Sequence, residues 1–296
     1  MHLELAARPP FSLASVISSH GWVQLAPFER EDGAESLTFV DRLASGRAVA
    51  LWVAASPAGV AIDCDPALAP AEIAEIQRKV AWMVGLDQDF AAFYRAAAHE
   101  PKLAHAAANA QGRLLRSPSL FEDTVKTMLT TNTTWSGTKR MVRTLVTAYG
   151  DAVADGTERR AFPTPERIAA SDEASLRRTI GLGYRAPYVL ELAQRVASGD
   201  LDLDALSQSS LPTPDLRKRL LAIKGVGPYA AANLLMILGR YDYIPVDSWA
   251  LKLVSHEWHH GQAIGPAAVE AAFEGWGEWK GLAFWMWNWD YTATQG

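Results

Sequence analysis

Two patterns of apolar and polar positions divide the chain. Within residues 1–65, LTFVDRL, RAVALWVAA and GVAIDCD are short runs rich in β-branched and aromatic residues. They predict strands of a small antiparallel sheet. From PALAPAEIAEIQRKVAWMVGL onward, apolar residues recur at helical spacing and Ala, Leu and Glu dominate, which predicts helices. Pro and Gly punctuate that region in SPSLFED, FPTPERI, GLGYRAPY, LPTPDL and KGVGPY. Several of these have Ser or Thr before Pro and an acid in the first turn, the mark of a helix start. No comparable strand signal returns after about residue 70. The expectation is an α+β chain: a β-containing N-terminal domain over 1–105 and a helical region over 106–296, with roughly ten helices in all.

Composition changes this picture little. With 49% hydrophobic and 21% charged residues among 296, the chain reads as an ordinary globular protein. No apolar stretch approaches bilayer length, and MHLELAARPPF lacks a basic start followed by an apolar run, so no membrane partner and no secretory signal are expected. The single cysteine, Cys64, excludes an intramolecular disulfide and a four-cysteine iron–sulfur or zinc centre. A reducing cytoplasm fits. The net charge of −5 argues mildly against nucleic acid as a partner. Yet 111–147 carries Arg113, Arg116, Lys126, Lys139, Arg140 and Arg143 against only Glu122 and Asp123. That predicts either a local basic face for phosphates or an ordinary solvated helical face.

The most informative stretch is LRKRLLAIKGVGPYAAANLLMILGRYDYIPVDSWALKLV, residues 216–254. Two helical patterns flank Gly225, Val226 and Gly227, a hairpin over about 219–239. Glycine permits positive φ and close backbone approach at both positions, and Val226 can plug the gap between the helices. Pro228 starts the second helix, where its missing N–H costs nothing. The N–H groups there suit an anion such as a DNA phosphate, a contact that positions without reading sequence. A plain helix–helix turn is the bland alternative. Asp247 follows Gly227 by 20 residues, in a loop over 244–249, at the N-terminus of another helix. It can cap that helix or serve chemistry, and the helix dipole favours negative charge there.

The order IKGVGPYAAANLLM followed by IPVDSWAL resembles the helix-hairpin-helix/Gly-Pro-Asp (HhH-GPD) DNA glycosylases. TIGLGYRAPYV, residues 179–189, is similar to the corresponding segment of their 8-oxoguanine branch. Residues 112–146 resemble the helix entering the DNA-insertion loop. The resemblance covers about residues 110–290, and the first hundred residues fit the β-domain of the 8-oxoguanine and 3-methyladenine branches. It implies a mainly α-helical bundle with a small N-terminal sheet, a flipped-out damaged nucleotide, and Asp247 as the carboxylate that stabilises a cationic sugar and orients or deprotonates water.

The resemblance also implies roles position by position. Bifunctional members carry a lysine where this chain has Tyr229, which implies a monofunctional hydrolase without lyase chemistry. An aromatic at that place resembles the alkyl-purine branch, where a ring faces a cationic base. Asn233 falls where the 8-oxoguanine branch carries a cysteine and offers both donor and acceptor. Seven of eleven tryptophans lie after residue 248. Most read as core, with Trp285 and Trp287 as base-pocket candidates and Asn288 near the place of a base-stacking aromatic. Asn132 matches residues that enter the gap left by the flipped base, Tyr184 a wedge, and Arg185 a reader of the orphan base. A second reader arginine falls at Gly137. Lys224 precedes the hairpin, facing phosphate or simply solvent. The partner implied is double-stranded DNA containing a damaged base, with the protein monomeric and cytoplasmic, or nucleoid-associated in a bacterium.

The expected substrate is an alkylated purine such as 3-methyladenine. The alternatives are 8-oxoguanine or a deaminated base, and, from another class, a non-catalytic damage-binding protein. His256 and His260 share a helical face, but HEWHHG reads as a surface helix end and no metal is expected. No other cofactor is expected, although the hairpin carbonyls could hold a monovalent cation bridging to phosphate, as the resemblance implies.

Overall fold

The structure is a computed structural model that describes residues 1–30, 35–65 and 67–289. Among these it holds fifteen α-helices and one four-stranded antiparallel sheet. The three expected strands are present as β2 (Ser36–Arg42), β3 (Ala48–Ser56) and β4 (Gly59–Asp63), and β1 (His2–Ala6) adds a fourth. The sheet runs β1-β4-β3-β2. Alternation puts one face inward: Leu37 lies opposite Val53 and Phe39 opposite Leu51, all four buried. β1 went unread because HLELA holds no β-branched residue and none of its five residues is buried, so its pairing with β4 supplies its order. The helix count exceeds ten because several helices, such as Leu13–Ile17 and His105–Ala108, are one turn or little more, too short for a 3.6-residue period to register. No described helix is long and apolar enough to cross a membrane.

The expected helix starts are real. Ser119 Oγ accepts from the Glu122 N–H ahead of helix Leu120–Thr130, and Thr164 Oγ1 accepts from the Arg167 N–H ahead of Pro165–Ala169. Each satisfies an amide that the helix itself leaves open.

The chain forms two compact units, each made of two stretches: Met1–Gln88 with Arg113–Ser209, and Asp89–Gly112 with Ser210–Gly296. This division does not coincide with a single boundary at 105/106, because the helices over 113–209 group with the sheet. In the first unit, helix Leu120–Thr130 buries ten of its eleven residues.

That burial corrects the reading of 111–147 as a charged face, basic or merely solvated. Arg113, Arg116, Lys126, Glu122 and Asp123 are all buried. Arg113 donates to the carbonyls of Gly85, Pro10, Arg8 and Gln88, and Arg116 lies over the Trp82 ring at 4.1 Å. Lys126 Nζ meets Glu122 Oε1 at 2.6 Å, donates to Ser117 Oγ at 3.3 Å and lies 4.3 Å from the centre of the Phe28 ring. Asp123 Oδ1 accepts from Trp22 Nε1 at 2.7 Å and the Ser117 N–H at 3.0 Å. Only Lys139, Arg140 and Arg143 stay at least partly exposed. A buried charge needs a partner: Lys126 and Glu122 form an ion pair, and Arg113, Arg116 and Asp123 are held by hydrogen bonds.

Burial pushes the Glu122 carboxyl up to about 7 against the opposing pull of Lys126. A carboxyl raised on folding stabilises the fold below its unfolded value of 4.5 and loses that contribution as pH rises through the folded value. Removing the ammonium raises the folded value further. Lys126→Met should therefore cost about 3–5 kcal/mol at pH 8, where Glu122 must either stay charged without its partner or take up a proton that the unfolded chain lacks, and distinctly less at pH 5, where it is protonated already. Urea unfolding at the two pH values measures this, and an equal loss at both would remove Glu122 as the cause.

Candidate DNA-repair site

The hairpin lies in the second unit. Helix Thr213–Leu221 ends, Ile223 and Val226 turn inward, and helix Pro228–Ile237 begins. The Val226 N–H donates to the Ile223 carbonyl at 3.0 Å, and Val226 is buried, as a plug requires. The two glycines differ. Gly225 has φ +89 and needs glycine for that reason. Gly227 is extended, with φ −88 and ψ −176, and caps the second helix; the expectation of left-handed freedom there is corrected. A Cβ built on Gly227 meets nothing within 4 Å, so neither torsion nor internal space demands glycine. The first intrahelical bond of the second helix runs from the Ala231 N–H to the Gly227 carbonyl, so the earlier amides of the turn lie outside the helix's own ladder. Lys224 is exposed beside them.

The helix ends at a left-handed Gly239, φ +76, with the Arg240 N–H returning to the Leu235 carbonyl. The loop that follows is held at several points. The Gly281 N–H donates to the Tyr241 carbonyl at 2.7 Å, and a Cβ on Gly281 falls 2.5 Å from the Tyr243 carbonyl oxygen, so only glycine fits against this loop. Glu270 Oε1 accepts from the Ile244 N–H at 3.4 Å and the same side chain pairs with Lys280 at 3.0 Å. Ile244 and Pro245 are buried.

This fixed loop delivers Asp247 to the start of helix Ser248–His259. Its Oδ1 accepts from the Trp249 N–H at 3.0 Å and the Ala250 N–H at 2.8 Å. The residue is exposed, and its Oδ2 has no hydrogen-bond partner among the described residues. Capping and chemistry are thus not alternatives. One oxygen anchors the carboxylate, and the other faces outward as an acceptor.

A second group of expected residues gathers in the first unit, where helix Leu120–Thr130 gives way to helix Trp135–Tyr149. Asn132 sits in the turn at φ +47, a conformation asparagine tolerates better than most residues. Its Nδ2 donates to the Tyr184 hydroxyl at 3.2 Å. That hydroxyl also lies 3.3 Å from Thr131 Oγ1. Arg185 stacks its guanidinium 4.4 Å over the Tyr184 ring and donates Nη2 to the Thr131 carbonyl. Tyr184 is 45% exposed, but Arg185 only 6%. Thr131 is the member sequence reasoning missed. As the C-cap of the first helix its carbonyl falls outside the helical ladder, which was the available signal.

A model of the HhH-GPD superfamily of base excision DNA repair proteins matches residues 125–278, just over half of the 296. The chain belongs to that superfamily. The match takes in the hairpin, Asp247, Asn132, Tyr184 and Arg185. A DNA-3-methyladenine glycosylase of Bacillus subtilis is 29% identical over 183 residues, 60% of this chain and 59% of that protein; the chain thus spans about three fifths of the length of that curated relative. Among solved structures, a 3-methyladenine DNA glycosylase from Archaeoglobus fulgidus superposes with a TM-score of 0.75 at 22% identity, covering 97% of this chain and 96% of that one. The 8-oxoguanine glycosylase/lyase of Clostridium acetobutylicum gives 0.69 at 18%, covering 90% and 92%. These two likenesses establish a shared fold, including the N-terminal sheet, and both carry it with different substrates in their names.

The remaining expected residues of this HhH-GPD chain divide. Tyr229 and Asn233 lie one turn apart on helix Pro228–Ile237, both half-buried, and Asn233 Nδ2 donates to the Tyr229 carbonyl at 3.1 Å. Asn233 therefore keeps its acceptor to offer, while one donor is engaged. Trp285 is half-buried on helix Lys280–Met286. Trp287 is buried in an aromatic cluster with Trp258, Phe273 and Trp289, at 5.4, 5.3 and 6.1 Å between ring centres. Asn288 is exposed, its N–H donating to the Lys102 carbonyl at 3.0 Å. Residues 290 and 291 of the Trp-rich end lie outside the described residues. At Gly137 a Cβ falls 2.4 Å from Thr133 Oγ1, so an arginine there would have to displace that threonine.

The cap geometry lets the capping role of Asp247 be measured by itself. Asp247→Asn keeps an acceptor oxygen for the two amides and should leave stability within about 0.5 kcal/mol, whereas Asp247→Ala should lose about 1 kcal/mol. Chemical denaturation of the two variants reads the difference.

Proposed function

We propose that the chain is a monofunctional DNA glycosylase that excises an alkylated purine of the 3-methyladenine type. The observation that carries the reading is the divided carboxylate of Asp247, fixed through Oδ1 and open at Oδ2, on a braced loop that follows a glycine hairpin. The hairpin amides take a DNA phosphate, and Gly227 is kept small for an approach from outside the protein. A flipped nucleotide then presents its sugar to Asp247. As the bond from C1′ to the base breaks, the base leaves with the electron pair and the sugar becomes cationic. Asp247 stabilises that charge, and Oδ2 takes a proton from the water whose oxygen bonds to C1′. The products are the free base and an abasic site.

Tyr229 supports hydrolysis without lyase chemistry, since its phenol cannot form the Schiff base that a lysine would. It also supports the substrate: an electron-rich ring attracts a cationic alkylated base. The names of the Bacillus and Archaeoglobus relatives agree with that choice. Asn233, Trp285, Trp287 and Asn288 are the further candidates for the base pocket, and Lys224 for a phosphate contact.

The test uses duplexes that each carry one lesion: a 3-methyladenine analogue, hypoxanthine, uracil or 8-oxoguanine. Strand cleavage is scored with and without hot alkali. Cleavage of the alkylated duplex only after alkali is expected; cleavage without alkali would overturn the role of Tyr229, and cleavage of a different duplex would reassign the substrate. Asp247→Asn should lower the single-turnover rate by about 10²–10⁴-fold while binding persists. Tight binding by the wild type with no cleavage of any duplex would make the protein a damage binder instead. Gly227→Ala should leave the melting temperature unchanged or slightly raised and weaken DNA binding about tenfold.

A further inference from the structure

We infer that Arg185 is a positioning residue for the strand opposite the lesion and does not read the orphan base; the inference rests on the DNA glycosylase reading above. A reader of base edges must bring its guanidinium to the DNA with donors unspent. Arg185 is 6% exposed. One face of its guanidinium covers the Tyr184 ring at 4.4 Å, Nη2 is spent on the Thr131 carbonyl, and Nε, which has no hydrogen-bond partner among the described residues, is itself buried out of reach of a base edge. Exposing it would break both contacts and leave the C-cap carbonyl of a buried helix without that partner.

What the arginine does hold is the pair of side chains that reach solvent. The carbonyl it grips belongs to the residue before Asn132, the residue at φ +47. The ring it covers belongs to Tyr184, whose hydroxyl meets Asn132 Nδ2 at 3.2 Å and Thr131 Oγ1 at 3.3 Å. One guanidinium thereby ties two segments 54 residues apart. It sets the turn that presents Asn132 and the ring that serves as a wedge. A ring stacked on a cation on one side and hydrogen-bonded at its tip has little rotational freedom left to lose on binding, which favours affinity for any sequence. Tyr184 and Asn132 then enter the DNA, with Arg185 behind them. Gly137, where a second arginine would clash with Thr133, removes another source of base reading, so discrimination among orphan bases should be weak.

The experiment uses the full chain and four duplexes that carry a tetrahydrofuran abasic analogue opposite C, T, A or G. Dissociation constants are measured by fluorescence anisotropy well below the melting temperature. The wild type should bind all four within a few-fold of one another and more tightly than undamaged DNA. Arg185→Ala should weaken all four by the same factor, about tenfold. Arg185→Lys, which keeps a donor for the carbonyl, should recover part of the loss. Tyr184→Phe, which keeps the stacked ring and removes its hydroxyl, should also weaken all four evenly, and its effect should shrink in the Arg185→Ala background, since both act on one cluster.

A loss confined to one orphan base would make Arg185 a reader and overturn the inference. So would unchanged affinity in a variant with a lowered melting temperature, which would reduce the residue to a structural part. If Arg185→Ala does not fold, Arg185→Lys and Tyr184→Phe carry the same comparison. A wild type that binds abasic and undamaged duplexes alike would overturn the glycosylase reading and this inference with it; the outcomes above overturn the inference alone.

Discussion

A helix covered on every side cannot turn its charges to water, and Leu120–Thr130 is covered on ten of its eleven residues. Glu122, Asp123 and Lys126 must therefore find their partners inside, and each does: Lys126 in Glu122 and Ser117, Asp123 in Trp22 and the Ser117 amide. The arrangement is strict because a buried charge that loses its partner costs far more than the pair contributes. It sets the register of the helix against its neighbours, and so fixes where the helix stops. The next helix is tied to that end by Thr138 Oγ1, which donates to the Leu129 carbonyl at 2.9 Å. The turn between them, with Thr131 and Asn132, is exposed chain mounted on a rigid post. Loops that bind need such support, since affinity depends on how little order remains to be imposed.

Much of this was legible and some was not, for reasons that differ by residue. β2, β3 and β4 announced themselves through β-branched and aromatic runs. β1 did not, since HLELA has no β-branched residue and buries none of its side chains fully. Ser119 and Thr164 were readable as caps because capping is local: the acceptor and its amide lie three residues apart. The fate of Arg113, Arg116 and Lys126 was not local. A charged residue far from any visible partner reads as solvated, and what buries Arg113 is four carbonyls, two of them more than a hundred residues away. Gly227 misled in another way. Its motif suggested a torsional need, but its backbone is extended and the space beside it is open, so neither torsion nor internal packing demands glycine there.

The carboxylate at 247 shows why a structural and a chemical reading of one residue need not compete. A carboxylate has about four acceptor sites on two oxygens. Two amides of helix Ser248–His259 use Oδ1 and settle the side chain's rotamer, which leaves Oδ2 placed without further cost. Placement matters more than availability, because electrostatic stabilisation works only if the charge is already where the cation forms. The chain holds the loop before Asp247 by Gly281 on Tyr241 and by Glu270 on Ile244, with Lys280 holding Glu270 in turn. The three residues that do the holding, Gly281, Glu270 and Lys280, all follow the hairpin and Asp247 in the chain. The Trp-rich end is thus more than filler: its helix Lys280–Met286 carries in its first turn the glycine that lets it press against the loop. A bulkier residue at 281 would push the Asp247 loop away from the helix that braces it, and the carboxylate oxygen that the cap leaves free would be displaced with it.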